Sequence, residues 1–161
     1  MVSCERKTLS EVVINTRTGA RGTIADWMAA FIDLWSAPAQ NVERFTDLLD
    51  PHVRLIAPGV PTTTGDAAAR LAFRRLFKAL PDMRGDVTRW SATGNALFIE
   101  MTFTATVGSR RITWSNVDRI TFEGGAAIER VAYFDPTPVR LAFLGSARGW
   151  RQFAIILWGR V

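Results

Sequence analysis

The chain has 161 residues, a formal net charge of +5 and an apolar fraction of 48%. These values are typical of one folded domain with a sizeable core, and they exclude an intrinsically disordered chain. The chain has a single cysteine, Cys4, and a single histidine, His52. This composition excludes an intramolecular disulfide and a metal site built from several cysteine or histidine ligands. We therefore expect no metal and no cofactor. The basic residues are dispersed and no nucleic-acid-binding motif accompanies them, so we expect no nucleic-acid partner.

Residues 1–22 carry charges throughout and no apolar run, which predicts a disordered or flexible arm rather than a signal peptide. The folded domain is expected over residues 23–145. The remaining segment, 146–161, is an apolar and basic tail that we expect to cover a pocket or join a dimer interface. A membrane-surface helix is the minor alternative for this tail, since its uncharged run 153–159 is too short to cross a bilayer. We expect a cytoplasmic protein.

The first predicted elements are three helices. Thr23 is expected to cap the first one, with Asp26 completing a capping box. Its apolar residues recur at helical spacing, and Pro38 ends it. A second helix is predicted from about Asn41 to Asp50, and a third from Asp66 to about Leu80.

Strands follow the helices, apart from a short β-like segment over 52–57. We predict strands over 86–93, 96–107, 110–122 and 127–135, joined by glycine turns at Gly94, Gly108 and Gly124. The second of these alternates strictly between apolar and polar residues. The element order predicts an α+β fold, with three N-terminal helices packed on one face of a curved, mainly antiparallel sheet.

Three acidic residues, Glu100, Asp118 and Asp135, interrupt the most hydrophobic stretch of the chain. A carboxylate in an apolar strand is costly unless it is paired or functional, so these three are the candidate catalytic residues. Each also has a structural interpretation. Asp118 can pair with Arg119, Arg130 or a helix N-terminus, Glu100 can face solvent or a dimer partner, and Asp135 can cap the turn before Pro136.

The hairpin at Gly124–Gly125 predicts which residues share the functional surface. A tight turn places position 118 opposite 131, position 116 opposite 133 and position 114 opposite 135. The candidate substrate-binding residues are then Trp114, Asn116 and Tyr133, together with aromatic residues of the first helix: Trp27, Phe31 and Trp35. A β-bulge in the last strand would instead bring Ala132 and Phe134 to this surface.

Several segments together resemble the nuclear transport factor 2-like superfamily and, within it, the SnoaL-like polyketide cyclases. The segments are Ala25 to Trp35, His52 to Gly59, Leu80 to Asp82, Val117 to Phe122 and Ala132 to Asp135. The resemblance covers roughly residues 23–145. It implies a cone-shaped roll with a deep apolar pocket, a small apolar molecule as partner, and a homodimer formed through the outer face of the sheet.

Comparison with ketosteroid isomerase, a member of this superfamily, argues against steroid isomerisation. Asp118 resembles the aspartic acid of that enzyme's oxyanion hole, which its surroundings keep protonated. However, the catalytic base would fall at Ala57 and the oxyanion-hole tyrosine at Phe31. Both residues are chemically inert.

Two further comparisons within the superfamily give different results. Limonene epoxide hydrolase uses an aspartate–arginine–aspartate set. In this chain the first aspartate would fall near Glu100, the arginine near Phe98, and the second aspartate on Ala132 or, if the register slips, on Tyr133, so the set is broken. The SnoaL-like cyclases use an apolar pocket and one acid/base carboxylate, a role that Asp118 or Asp135 could fill.

Two functional classes therefore remain open. The first is a cofactor-independent cyclase, isomerase, dehydratase or hydrolase, in which a carboxylate exchanges a proton and Asn116 or Tyr133 holds a carbonyl oxygen. The second is a non-catalytic domain that binds a ligand or another protein.

Overall fold

The computed structural model describes residues 14–15 and 21–159. The arm predicted over 1–22 lies mostly outside the described residues. Within that arm, strands β1 (Ile14–Asn15) and β2 (Arg21–Gly22) pair in an antiparallel manner.

Helix α1 (Ile24–Ser36) begins as the sequence predicts. Thr23 Oγ1 accepts a hydrogen bond from the backbone N–H of Asp26, and the Asp26 carboxylate accepts one from the Thr23 N–H. This reciprocal capping satisfies two N–H groups that the first turn of a helix cannot pair internally. The confirmed start of α1 fixes which of its faces is buried, and that face carries Trp27, Phe31 and Trp35.

The second predicted helix is a 3₁₀-helix, Val42–Leu48, and the third is α2, Asp66–Ala79. The tighter i→i+3 bonding over 42–48 is common in short connectors. It places Phe45 in the core, where its ring lies 5.0 Å from that of Trp35 and 4.8 Å from that of Phe73.

Six strands form one curved, open sheet in the order β4-β3-β8-β7-β6-β5. All neighbours are antiparallel except β3 and β8, which are parallel. This architecture confirms the α+β prediction. The strands are β3 (Arg54–Ile56), β4 (Thr63–Thr64), β5 (Arg84–Thr93), β6 (Ala96–Val107), β7 (Arg110–Glu123) and β8 (Ala126–Tyr133).

The alternation predicted for β6 is observed, because every second residue from Leu97 to Val107 is buried. These residues face the helices and form the core with the aromatic side chains of α1 and α2. The opposite face of β6 carries Phe98 and Glu100. The sheet therefore has one buried, helix-covered face and one outer face.

The tight register predicted for the last hairpin is wrong. Gly124 and Gly125 both have positive φ, as a two-residue turn of this kind requires, but the register shifts between Thr121 and Phe122. The extra residue places Asp118 opposite Ala132 and Val117 opposite Tyr133. This is the register that the β-bulge alternative described, and it turns Tyr133 to the outer face.

Two helices, α3 (Thr137–Leu144) and α4 (Ala147–Trp158), complete the chain. The sequence indicated only an apolar and basic tail here. Helix α4 is attached through Gln152, whose Oε1 accepts from Gly108 N at 2.7 Å and whose Nε2 donates to Ala79 O at 2.9 Å. Within the described residues, no helix combines the length and apolarity needed to cross a bilayer.

Candidate ligand-binding cavity

A cavity of about 440 Å³ lies between the inner face of the sheet and helices α2, α3 and α4. This volume falls within the range of about 300–1,000 Å³ that is typical of sites for small organic molecules. Its walls are mostly apolar. They include Trp35 from α1, Leu76 from α2, Trp114 from β7, Phe134 after β8, and Phe153, Ile156 and Leu157 from α4.

The polar part of the deep wall is built on β7 and β8 around Asp118, which is fully buried. Arg130 Nε donates to Asp118 Oδ2 at 2.8 Å, and Arg130 Nη2 lies 2.7 Å from the same oxygen. Asn116 Nδ2 donates to Asp118 Oδ1 at 2.9 Å. The strand alternation brings Asn116 and Asp118 to the inner face, and the β-bulge brings Arg130 there as well. Asn116 and Arg130 line the cavity, whereas Asp118 lies behind them.

Two polar atoms on this wall have no hydrogen-bond partner within the described part of the chain: Asn116 Oδ1 and Trp35 Nε1. Asn116 is 2% exposed and Trp35 is 1% exposed. Asn116 turns its NH₂ group towards the Asp118 carboxylate, which Arg130 also binds. The amide oxygen of Asn116, Oδ1, is therefore left without a partner. An unpaired buried polar group costs about 1–3 kcal/mol, so these two atoms stand out among the polar groups of the residues that line the cavity.

Arg130 connects these groups. Its guanidinium lies over the Trp35 ring, 5.4 Å from the ring centroid, a distance at which a cation is attracted to the indole face. Arg130 uses Nε and Nη2 on Asp118, while its Nη1 makes no hydrogen bond to any described residue. The wall therefore offers donors from Arg130 and Trp35 beside an acceptor from Asn116.

Two more arginines line the cavity, on its helical side. Arg75 of α2 donates to Gly159 O at 2.7 Å and to Leu157 O at 3.3 Å, and so holds the C-terminal end of α4. Arg140 of α3 is exposed and lies against Gly59, in the loop between β3 and β4. A Cβ atom on Gly59 would lie 2.6 Å from Arg140 Nη2, so the absence of a side chain there is what makes room for the guanidinium.

Of the three acidic candidates, only Asp118 lies next to the cavity. Glu100 is on the outer face, where Arg89 Nε and Nη2 donate to its two oxygens at 2.6 and 2.8 Å and lower its pKa. Asp135 is exposed and accepts a hydrogen bond from Thr137 N at 2.9 Å, which lowers the pKa of Asp135. Asp135 thus makes the turn-capping contact that the sequence offered as its structural alternative.

The six candidate substrate-binding residues also divide. Trp35, Trp114 and Asn116 line the cavity. Trp27 and Phe31 are buried in the core outside the lining, and Trp27 Nε1 donates to Leu48 O at 3.0 Å. Tyr133 is 49% exposed on the outer face.

Sequence analysis missed Arg140 and considered Arg130 only as a partner of Asp118. Once the β-bulge is known, the alternation of β8 is sufficient to place Arg130 on the inner face. By contrast, Arg140 reaches Gly59 through a contact between distant parts of the chain, and no local pattern indicates it.

The polar side chains of the described lining include three guanidinium groups and one amide, and none of them is a carboxylate. The described ionisable side chains of the lining are Arg75, Arg130 and Arg140, with no carboxylate, lysine or histidine. Asp118 has both oxygens engaged and acts on the cavity by positioning Arg130 and Asn116. The described residues also contain no group of three His, Cys, Asp or Glu side chains that could hold a metal ion.

Solved structures resemble this fold over most of the chain. A proposed SnoaL-like polyketide cyclase from Jannaschia sp. CCS1 is 17% identical, with a TM-score of 0.64 over 73% of this chain and 89% of the other. An NTF2-like protein of unknown function from Burkholderia pseudomallei K96243 is 21% identical, with a TM-score of 0.64 over 73% and 95% of the two chains. A hypothetical protein from Catenulispora acidiphila DSM 44928, with a ketosteroid isomerase-like fold, is 12% identical, with a TM-score of 0.62 over 68% and 85%.

At these identities the structural neighbours establish the fold and leave the chemistry open. None of the curated protein sequences compared with this chain matches it. The sequence profile of the SnoaL-like domain matches residues 24–130, which is most of the chain. The chain therefore belongs to the SnoaL-like domain family.

Proposed function

We propose that the protein binds an apolar small molecule that carries both a hydroxyl and a carbonyl-type oxygen. The observation that carries this proposal is the unpartnered Oδ1 of Asn116, buried on the wall of an apolar cavity. A ligand hydroxyl would donate to that atom. A neighbouring ligand oxygen would accept from Trp35 Nε1 or from Arg130.

The deep wall is rigid enough to select such a ligand. Asp118 fixes the Arg130 guanidinium and the Asn116 amide at the same time, and Trp35 packs against Phe45, Phe77 and Phe103. Donors and acceptors held in place before binding lose little conformational entropy when a ligand arrives.

The binding test uses two probes of similar shape, 2-naphthol and 2-methylnaphthalene. The wild-type protein should bind the naphthol more tightly, and Asn116→Leu should weaken naphthol binding about tenfold while leaving methylnaphthalene unchanged. Trp35→Phe, which removes a single donor, provides a second variant if Asn116→Leu folds poorly. Tyr133→Phe removes a hydroxyl from the outer face and is the matched control. Equal affinities for both probes in the wild-type protein would contradict the proposal.

A catalytic role is the second candidate, and the free Nη1 of Arg130 favours it. A guanidinium beside a bound carbonyl would stabilise the negative charge of an enolate, the intermediate of aldol-type cyclisation and of isomerisation. The described lining supplies no carboxylate or histidine as a base, and for this reason we place binding first.

Proton exchange at an enolisable ketone separates these two candidates. If the site stabilises an enolate, the wild-type protein should accelerate deuterium uptake by 2-tetralone in D₂O, as followed by NMR. Arg130→Met should remove the acceleration, whereas Asp135→Asn should preserve it. If 2-tetralone binds without any acceleration, the protein acts by binding alone.

We also propose that the protein forms a homodimer through the outer face of the sheet. Exposed aromatic residues on that face, Phe98 and Tyr133, support this assembly. Light scattering after size-exclusion chromatography should give a dimer mass for the wild-type protein and a monomer mass for Phe98→Glu.

A further inference from the structure

We propose that the natural ligand is an organic anion: an apolar molecule with an ionised acidic group that pairs with Arg140 at the rim of the cavity. This inference rests on the proposed function, since it specifies the class of molecule that the same cavity binds. It concerns the part of the ligand near Arg140, whereas the proposed function concerns the part that reaches Asn116 and Arg130.

The first argument is charge balance. The described side chains that line the cavity include three arginines and no acid. Arg130 is neutralised by Asp118 behind the wall. Among the described residues, the Arg75 side chain has the neutral carbonyl groups of Leu157 and Gly159 as its hydrogen-bond partners. The described lining therefore carries an excess of positive charge, and an anionic ligand would compensate it.

The second argument is the state of Arg140 itself. Its side chain forms no hydrogen bond or ion pair with any described residue, although the guanidinium has five N–H donors. Some exposed arginines elsewhere are paired, whereas Arg84, Arg110 and Arg148 also lack a side-chain partner among the described residues, so Arg140 is distinguished by its place in the cavity lining. Arg89 binds Glu100 through two nitrogens, and Arg74 binds Glu43 in the same way. Of the three arginines that line the cavity, Arg140 is the one whose guanidinium has no partner among the described residues.

The third argument is the space that the loop between β3 and β4 leaves for Arg140. Gly59 has a φ of +83°, a conformation that favours glycine, and its missing side chain leaves the space that Arg140 Nη2 occupies. Pro58 and Pro61 flank this turn and restrict its backbone. The guanidinium therefore lies beside the loop at the edge of the cavity, where it can reach an anion bound in the cavity.

A bidentate guanidinium pair is suited to a planar acidic group such as a carboxylate. The ligand class is therefore an apolar acid whose hydroxyl or carbonyl end reaches Asn116 and whose acidic end remains near Arg140. A neutral molecule of the same shape would bind through the apolar walls alone.

The test uses a pair of fluorescent probes with the same ring system, 1-anilinonaphthalene-8-sulfonate and the uncharged N-phenyl-1-naphthylamine. We expect Arg140→Gln to weaken binding of the sulfonate at least fivefold and to leave binding of the neutral probe within twofold. Arg140→Lys, which keeps the charge but loses the bidentate geometry, should weaken sulfonate binding less than Arg140→Gln does. Arg110→Gln, which makes the same charge change at an exposed position outside the cavity, should leave the affinities for both probes unchanged.

Ala72→Phe adds a side chain that fills part of the cavity. It should weaken binding of both probes if they bind in the cavity, and of neither if they bind to the protein surface. The inference is overturned if Arg140→Gln leaves sulfonate binding unchanged, or if it weakens both probes equally. In those cases the neutral probe still reports the cavity, so the proposed function survives. If neither probe binds, or if Ala72→Phe affects neither, then both the proposed function and the inference fail.

Discussion

Arg130 and Asp118 form a buried ion pair in which Nε and Nη2 approach a single carboxylate oxygen at 2.8 and 2.7 Å. Asn116 occupies the other oxygen of Asp118 at 2.9 Å. The pair holds the deep wall of the cavity together, because the residues that reach a ligand are the ones that Asp118 positions.

Loss of the charge on Asp118 should therefore destabilise the protein. Asp118 is 0% exposed and the Arg130 side chain is 15% exposed, so Asp118→Asn leaves a guanidinium in the interior without its counter-charge. We expect a loss of about 3 kcal/mol in the free energy of unfolding, measured by urea denaturation. Glu100→Gln breaks an arginine pair with similar geometry on the outer face and should cost less than about 1 kcal/mol. Equal losses in both variants would show that burial of the pair has no energetic consequence.

The stability of the protein should fall in acid, partly because of Glu43. Hydrogen bonds from Arg74 and Arg70 lower the pKa of Glu43 from 4.5 to about 2. A carboxylate with a lowered folded-state pKa stabilises the fold above pH 4.5, and this stabilisation is lost as the pH falls towards 2.

The measurement is the urea midpoint between pH 6 and pH 2. It should decline less steeply in Glu43→Gln than in the wild-type protein. Because the pair is exposed, added salt should reduce this difference. Parallel curves for the two proteins would mean that Glu43 has the same pKa in the folded and unfolded states.

Gln152 should contribute strongly to the attachment of α4. Its side chain satisfies Gly108 N, Ala79 O and Thr106 O, which belong to two separate segments, the end of β6 with its following turn and the end of α2. Gln152→Leu removes these bonds and leaves buried backbone groups unpaired, so we expect a loss of about 2 kcal/mol.

Amide hydrogen exchange should show faster exchange at Gly108 and along α4 in this variant. The exposed neighbour Arg151 provides the control, since Arg151→Leu changes the helix surface and should alter stability by less than about 0.5 kcal/mol. Unchanged protection at Gly108 would indicate that α4 is held by its apolar contacts alone.

Gly59 and Gly94 provide a matched pair of glycines with positive φ, +83° and +58°. Alanine at either position should cost about 1–2 kcal/mol, because an L-residue is strained in this region. Only Gly59→Ala would also displace Arg140, since no atom lies within 4 Å of a Cβ at Gly94. We therefore expect sulfonate-probe affinity to fall in Gly59→Ala and to remain unchanged in Gly94→Ala. A fall in both would point to a general loss of structure.

Local sequence patterns were sufficient for much of this fold. The capping box at Thr23 and the alternation of β6 depend on residues a few positions apart, and both were predicted correctly. The β-bulge near Thr121 was harder, because the Gly124–Gly125 turn specifies the hairpin without specifying an extra residue beyond it. That one residue decides whether Tyr133 or Ala132 faces the cavity.

The cavity depends more on contacts between distant segments. Asp118 could be selected from the sequence because an acid in an apolar strand is unusual, and Arg130 was among its candidate partners. The sequence could not show that Asn116 and Arg130 would occupy both carboxylate oxygens. The contact between Gly59 and Arg140 joins residues 81 positions apart, and only the folded chain brings them together.

The match to the family profile ends at residue 130, before helices α3 and α4 begin. These two helices nevertheless supply four cavity residues: Arg140, Phe143, Phe153 and Ile156. Relatives can therefore share a superimposable sheet and still have different ligand preferences through changes in this C-terminal segment alone. A ligand assignment for this chain must therefore take these closing helices into account, because the matched domain supplies only part of the cavity wall.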